Sequence, residues 1–408
     1  MPDSLFTRLR ALGPGLILAA AGIGAGDVVV ASVTGIRHDL VLLWAIVLTA
    51  ALKFVLTEAL ARWQLATGET IIRAWVTRLP RWVSVCFAGY LLLWTFLVGA
   101  SLSSACGLAG ASVFPGIPLP VWGCLHAGAA ALLVAGNRFA GFQRVMKTLI
   151  GVMALCVFVC ALLARPDPAA LAAGLLWPRL PAGSGGAVLA LLGGIGGSLT
   201  VVCYAYWLRE SGWQGAARLR TVRADVGLAY AFTGLFGIAL VVIASGVDAP
   251  AAGGTRIALE VAERLQAAAG PAAKAIFLAG FWCTVFTAML GVWQGVPSVY
   301  VDLVSAWRGG APDARRDRIT YLLALGFLAG PPLLLLWFRQ PVAVVLTFSI
   351  AGAFFMPFLA GTLLYLNNRR AWLGPLANGR AGNLALLLCL GLFGAVCLRE
   401  ILVALGRD

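Results

Sequence analysis

The feature that most restricts this chain is a repeated one: long apolar stretches without a charged side chain, separated by short segments rich in arginine. A helix crossing the bilayer's hydrocarbon needs roughly 20 predominantly apolar residues, and eleven stretches meet or approach that length. They are Pro14 to Ile36, interrupted by Asp27, a stretch after Asp39, one after Arg81, one ending before Arg138, and Thr148 to Ala164. Gly185 to Leu208, Val226 to Val247, Ala275 to Val301, Ile319 to Phe338, Pro341 to Leu366 and the shorter Ala381 to Leu398 complete the set. Trp82 to Asn137 carries no formal charge but is too long for one crossing, and Pro115, Gly116, Pro118 and Pro120 predict a turn between two spans. With 61% hydrophobic and 11% charged residues, too little polar surface remains to cover a soluble globule of 408 residues.

The expected fold is therefore an all-α membrane protein, residues 1–408 forming one polytopic transmembrane domain. Orientation follows the basic residues, because cytoplasmic loops near helix ends carry the excess of Lys and Arg. With the N-terminus inside, Arg8 and Arg10, then Arg73, Arg78 and Arg81, then Arg138, Arg144 and Lys147 fall on the cytoplasmic side. Arg218, Arg220, Arg223, Arg315, Arg316, Arg318, Arg369, Arg370 and Arg380 follow the same rule. The expected location is the inner membrane. Topology and anionic lipid account for the formal charge of +14, so a nucleic-acid partner is not needed. The basic, Ala-rich N-terminus has some character of a signal peptide, but ten further spans favour a retained first helix. Nine cysteines, an odd number with no paired CxxC, read as small packing residues and not as a disulfide framework.

Glycines fall where a membrane helix is not expected to carry them. The first span reads Gly22-Ile23-Gly24-Ala25-Gly26-Asp27, and the sixth reads Gly193-Gly194-Ile195-Gly196-Gly197-Ser198-Leu199-Thr200. Close helix contact is one explanation. Unwinding is the other, and inside a bilayer unwound backbone is tolerated only where protein or a water-filled cavity satisfies it. Asp27 favours unwinding, since an intramembrane acid is costly and usually faces a binding site or ion path. Gly22, Gly26, Gly196 and Gly197 are the expected break residues. Each break opens a set of five helices, the pattern of an inverted-repeat transporter with halves at 1–165 and 185–368 and an additional helix at 381–404.

Other polar residues are less decisive. Glu58 and Arg62, four apart, suit a structural ion pair. Lys53 is deeper but can snorkel. Gln294 offers an amide oxygen to an ion or a bond to a neighbouring helix. His38 and His126 have no partner at metal-ligand spacing. Thr200 is the leading candidate among Thr200, Cys203, Tyr204 and Tyr206, which follow the second break. No HExxH or Gly-x-Ser-x-Gly motif and no carboxylate cluster points to an enzyme, and no cofactor or obligate protein partner is expected.

Several segments together resemble the Nramp family of proton-coupled divalent-metal transporters, which share the LeuT-superfamily fold. They are Gly13-Pro14-Gly15 with the broken helix behind it, Leu42-Leu43-Trp44 through Ala61-Arg62-Trp63-Gln64-Leu65-Ala66-Thr67-Gly68, and Met356-Pro357-Phe358 to Asn367-Asn368-Arg369. The resemblance implies a LeuT-like 5+5 repeat with broken first and sixth helices. The family's Asp-Pro-Gly-Asn tetrad becomes Gly24-Ala25-Gly26-Asp27, which places a carboxylate at the asparagine position. Its sixth-helix Met-Pro-His stretch is replaced near Thr200, Val201 and Val202. Losing the thioether shifts preference from softer transition metals toward Mg²⁺ or Mn²⁺. The implied ion ligands are Asp27, a Gly24 carbonyl, a Val201 carbonyl, Thr200 and Gln294. With no acid in the third helix and no sixth-helix histidine, potential-driven uniport is an alternative to proton coupling, worth about 4.6 kcal/mol per 100 mV for a divalent ion. A small organic solute such as an amino acid, bound through its carboxylate, is the alternative cargo.

Overall fold

The computed structural model describes residues 13–136, 139–246, 257–309, 313–338 and 340–404, and among them every regular element is helical. That is the outcome a bilayer imposes on apolar segments, because a helix satisfies its backbone groups within itself. Among the described residues nine helices are long and apolar enough to cross: Leu43–Thr67, Arg81–Val113, Leu119–Gly136, Gly141–Leu163, Ala216–Ala244, Pro271–Arg308, Ala314–Phe338, Pro341–Asn367 and Arg380–Leu402. The bent pair Pro14–Gly22 and Gly26–His38, meeting at 51°, makes a tenth. Two shorter helices, Gly185–Gly194 and Thr200–Glu210, stand at the sixth place in the order and complete the eleven expected crossings.

The predicted turn in the long uncharged stretch lies between Val113 and Leu119. One expected span differs in form. The ninth is α-helical only over Ala314–Ala329 and finishes in tighter turns over Pro331–Phe338. Pro331 and Pro332 supply no N–H to continue an α-helix, which explains the change at Gly330. Arg8, Arg10 and Arg138 of the orientation argument lie outside the described residues.

Burial sorts the spans into a centre and a rim. Leu132, Leu155, Leu162 and Leu323, on the fourth, fifth and ninth spans, each expose two thirds or more of their surface, as lipid-facing side chains should. The two broken spans are the opposite: Pro14–Gly22 leaves only Leu16 less than fully buried, and every residue from Gly26 to Gly35 is buried. Gly185–Gly194 and Thr200–Leu208 are buried almost throughout. The unwound segments therefore lie in the middle of the bundle, where protein and not lipid must satisfy their backbone.

Basic residues from separate connections also converge, as a common membrane side requires. Arg73, Arg209, Arg308, Arg316 and Arg318 line one open cavity of about 770 Å³, together with Ser298, Asp302, Asp313, Asp317 and Tyr321. Arg308 pairs with Asp317 at 2.6 Å and Arg316 with Asp313 at 3.1 Å.

Candidate functional site

The first span stops being α-helical after Gly22, crosses Ile23 to Ala25, and resumes through a wide π-type turn over Gly26–Val30. Such widened turns leave backbone groups unpaired and often mark functional positions. In the sixth span the interruption covers residues 195–199, with Gly196 and Gly197 at φ +72° and +73°. This left-handed conformation costs a side-chain-bearing residue roughly 1–2 kcal/mol, so both glycines are demanded by the backbone.

The two breaks lie against each other. A Cβ built on Gly22 would be 3.1 Å from the Gly196 carbonyl carbon and oxygen, and one on Gly26 would be 3.0 Å from the Gly194 Cα. The close-contact reading of these glycines and the unwinding reading are thus both true, at the same place. Only glycine lets the two backbones approach so nearly.

Asp27 joins them. Its side chain is fully buried, one carboxylate oxygen accepts the Gly24 N–H at 2.8 Å, and the other accepts the Gly196 N–H at 3.1 Å. One carboxylate thereby satisfies an orphan donor from each break. An ionised carboxylate has about four acceptor sites, so capacity remains for a further partner.

Lys53 does not snorkel. It is fully buried, and its ammonium donates to three sixth-span carbonyls, those of Gly193 at 3.2 Å, Ile195 and Gly197. Trp94 of the third span donates from Nε1 to Ser198 Oγ at 2.7 Å and holds the same break from another side. Among the described residues Asp27 and Lys53 form no direct ion pair; the peptide units of the break lie between them.

The remaining sequence-derived candidates separate. Thr200 lies at the break, is 2% exposed, and its hydroxyl has no hydrogen-bond partner among the described residues. Its Oγ1 is directed back at Gly197, 2.0 Å from where a Cβ there would be. Gly24 contributes its N–H to Asp27, while its carbonyl accepts from Val28 at 3.0 Å. Val201 is misplaced as a carbonyl ligand. The helix restarts at Thr200, so the Val201 carbonyl points along a regular helix toward the N–H four residues on. Among the carbonyls freed by the break are those of Gly193, Ile195 and Gly197, which accept from Lys53. Gln294 takes the structural role: its Oε1 accepts from Trp207 Nε1 at 2.7 Å. Glu58 pairs with Arg62 at 3.3 Å and also with Arg223 at 2.8 Å, and His126 sits between the Trp122 carbonyl and Trp282.

Sequence reasoning overlooked two further buried acids because both flank the uncharged runs. Asp225 accepts from Tyr204 at 2.7 Å. Asp302, on the lining of the arginine-rich cavity, accepts from Tyr206 at 3.1 Å and from Thr70, the N-cap of the short helix Ile71–Thr77, linking the connection after the second span to the sixth and eighth spans. From Thr200 to Tyr206 the helix advances about 9 Å, so this latch separates the break from the cavity by less than two turns. Asp302→Ala leaves two buried hydroxyls without that acceptor and is expected to cost about 2 kcal/mol, read as a lower unfolding midpoint of the purified protein.

Comparison with known proteins settles the family. The profile described as natural resistance-associated macrophage protein-like matches residues 15–402, nearly the whole chain. The chain belongs to the Nramp family. Over 413 aligned residues this Nramp chain is 27% identical to the divalent metal cation transporter MntH of Deinococcus radiodurans, covering 93% of the chain and 86% of that relative. It is 34% identical to the MntH of Chromohalobacter salexigens over 251 residues, or 58% of the chain and 56% of that relative, so this match spans little more than half its length. Among solved structures, a variant of the Eremococcus coleocola manganese transporter superposes with a TM-score of 0.76 at 15% identity, over 98% of this chain and 88% of that one. MhsT in complex with L-phenylalanine superposes at 0.62 and 15% identity, over 95% and 97%. Both likenesses establish the fold that this Nramp chain shares, a LeuT-like bundle with broken first and sixth helices.

Proposed function

We propose that this Nramp chain is a secondary transporter that carries a small, hard divalent cation, Mg²⁺ or Mn²⁺, into the cell by alternating access about the two broken helices. The observation that carries the proposal is Asp27, a buried carboxylate shared between the breaks with acceptor capacity to spare. The free hydroxyl of Thr200 beside Gly197 supplies a second oxygen. Among the described residues no three His, Cys, Asp or Glu side chains group together as a metal cage, so few protein ligands face the ion. That suits Mg²⁺, which keeps several waters and takes one or two carboxylates. Softer metals favour sulfur, and Cys203, the nearest cysteine in sequence to the sixth-span break, packs against Gly295.

Space favours an ion over an organic solute. The Gly22 to Gly196 and Gly26 to Gly194 approaches leave backbone against backbone where an amino acid would have to lie. In this reading the repeats at 1–165 and 185–368 move against each other, the N-terminus and the arginine-lined cavity face the cytoplasm of an inner-membrane protein, and the membrane potential drives entry.

Proteoliposomes with an inside-negative potential test the reading. Mg²⁺ or Mn²⁺ uptake is expected to exceed that of Cd²⁺, and Thr200→Ala is expected to raise the KM for the cation about three- to tenfold, the size of a lost hydroxyl contact. Uptake of amino acids with none of any divalent ion would replace the cargo. Internal pH recorded alongside decides whether protons accompany the ion.

A further inference from the structure

The use of Lys53 extends beyond filling a core position. Its three N–H donors meet three backbone carbonyls, Gly193, Ile195 and Gly197, which come from one short stretch of chain. In an unbroken helix these oxygens would accept from residues four further on; unwinding removes those partners and turns the oxygens toward one point. A convergent set of carbonyl oxygens replacing a hydration shell is how proteins bind monovalent cations within a membrane. The Lys53 stem reaches the point from the second span, passing Gly196 so closely that a Cβ there would be 3.6 Å from Lys53 Cδ. Asp27, bonded to the intervening Gly196 N–H, places a counter-charge on the opposite side of the same peptide units.

We infer that the Lys53 ammonium is a tethered monovalent cation, seated in a carbonyl site of the sixth-helix break that would otherwise take Na⁺, K⁺ or a small alkylammonium ion. The consequence is that the break holds its shape without a free monovalent ion, whereas shortening the side chain converts the protein into one that needs it. This goes beyond the cargo assignment and does not depend on it.

The test measures unfolding midpoints of purified protein in choline chloride, NaCl, KCl and methylammonium chloride, for wild type, Lys53→Ala and Lys53→Met. Wild type is expected to be indifferent to the cation. Lys53→Ala, with its carbonyls uncovered and the stem's volume vacated, is expected to be destabilised in choline and raised by about 3 °C or more by Na⁺, K⁺ or methylammonium. Lys53→Met fills the space without a charge and is expected to be destabilised in every salt. Should Lys53→Ala not accumulate, Lys53→Ser, which keeps one donor, replaces it with the same expectation. A Lys53→Met protein as stable as wild type overturns the inference, as does a small-side-chain variant equally unstable in all four salts. Absence of divalent uptake by wild type, alongside intact monovalent rescue of Lys53→Ala, would sink the cargo reading alone.

Discussion

Asp27→Asn is expected to lower Mg²⁺ and Mn²⁺ uptake at least ~100-fold, about 2.7 kcal/mol of lost stabilisation at 1.36 kcal/mol per decade. The substitution removes the carboxylate shared by the breaks and with it the negative charge opposite Lys53. The asparagine amide can still accept one of the two N–H groups through its oxygen. Its NH₂ then faces the other, donor against donor, and leaving that buried N–H unpaired costs about 1–3 kcal/mol. Uptake in proteoliposomes, normalised to folded protein from a thermal-unfolding trace, separates the two effects: a stability loss alone leaves the turnover of the folded fraction unchanged.

The largest effect on stability is expected from Gly193→Ala. A Cβ at Gly193 would lie 1.8 Å from the Ser349 carbonyl oxygen and 2.8 Å from the Ala353 N, both backbone atoms of the tenth span that no rotamer change can move. The sixth and tenth helices must separate to admit it, at a cost of about 3 kcal/mol or more, the upper range for overpacking. Gly151→Ala is the matched control. Nothing lies within 4 Å of its Cβ position, and a helix gains slightly from alanine, so its midpoint should stay or rise. The comparison of midpoints separates close helix contact from a general intolerance of the membrane helices to substitution.

These residues show where sequence was sufficient. The breaks were legible because glycine clusters and an acid fall inside apolar runs, and bilayer physics forbids that without a purpose. Span positions were legible for the same reason. Lys53 was misread although its position carried the signal: it stands ten residues inside Leu43–Thr67, about 15 Å from the nearer helix end, beyond the reach of a snorkelling side chain. Val201 failed on register, because the point where a helix restarts depends on how many residues the break consumes. Gln294 could not be decided from the chain alone, since its partner Trp207 lies 87 residues away and meets it only in the folded bundle. Asp225 and Asp302 were hidden by standing at the edges of uncharged runs, where an acid reads as a loop residue.

The most direct measurement is an anomalous difference map from crystals grown with Mn²⁺. A peak is expected about 2.1–2.6 Å from an Asp27 carboxylate oxygen, with Thr200 Oγ1 on the same side and the Lys53 ammonium still on its carbonyls. A peak elsewhere in the bundle, in a protein whose Asp27→Asn variant carries Mn²⁺ as well as wild type, would contradict it.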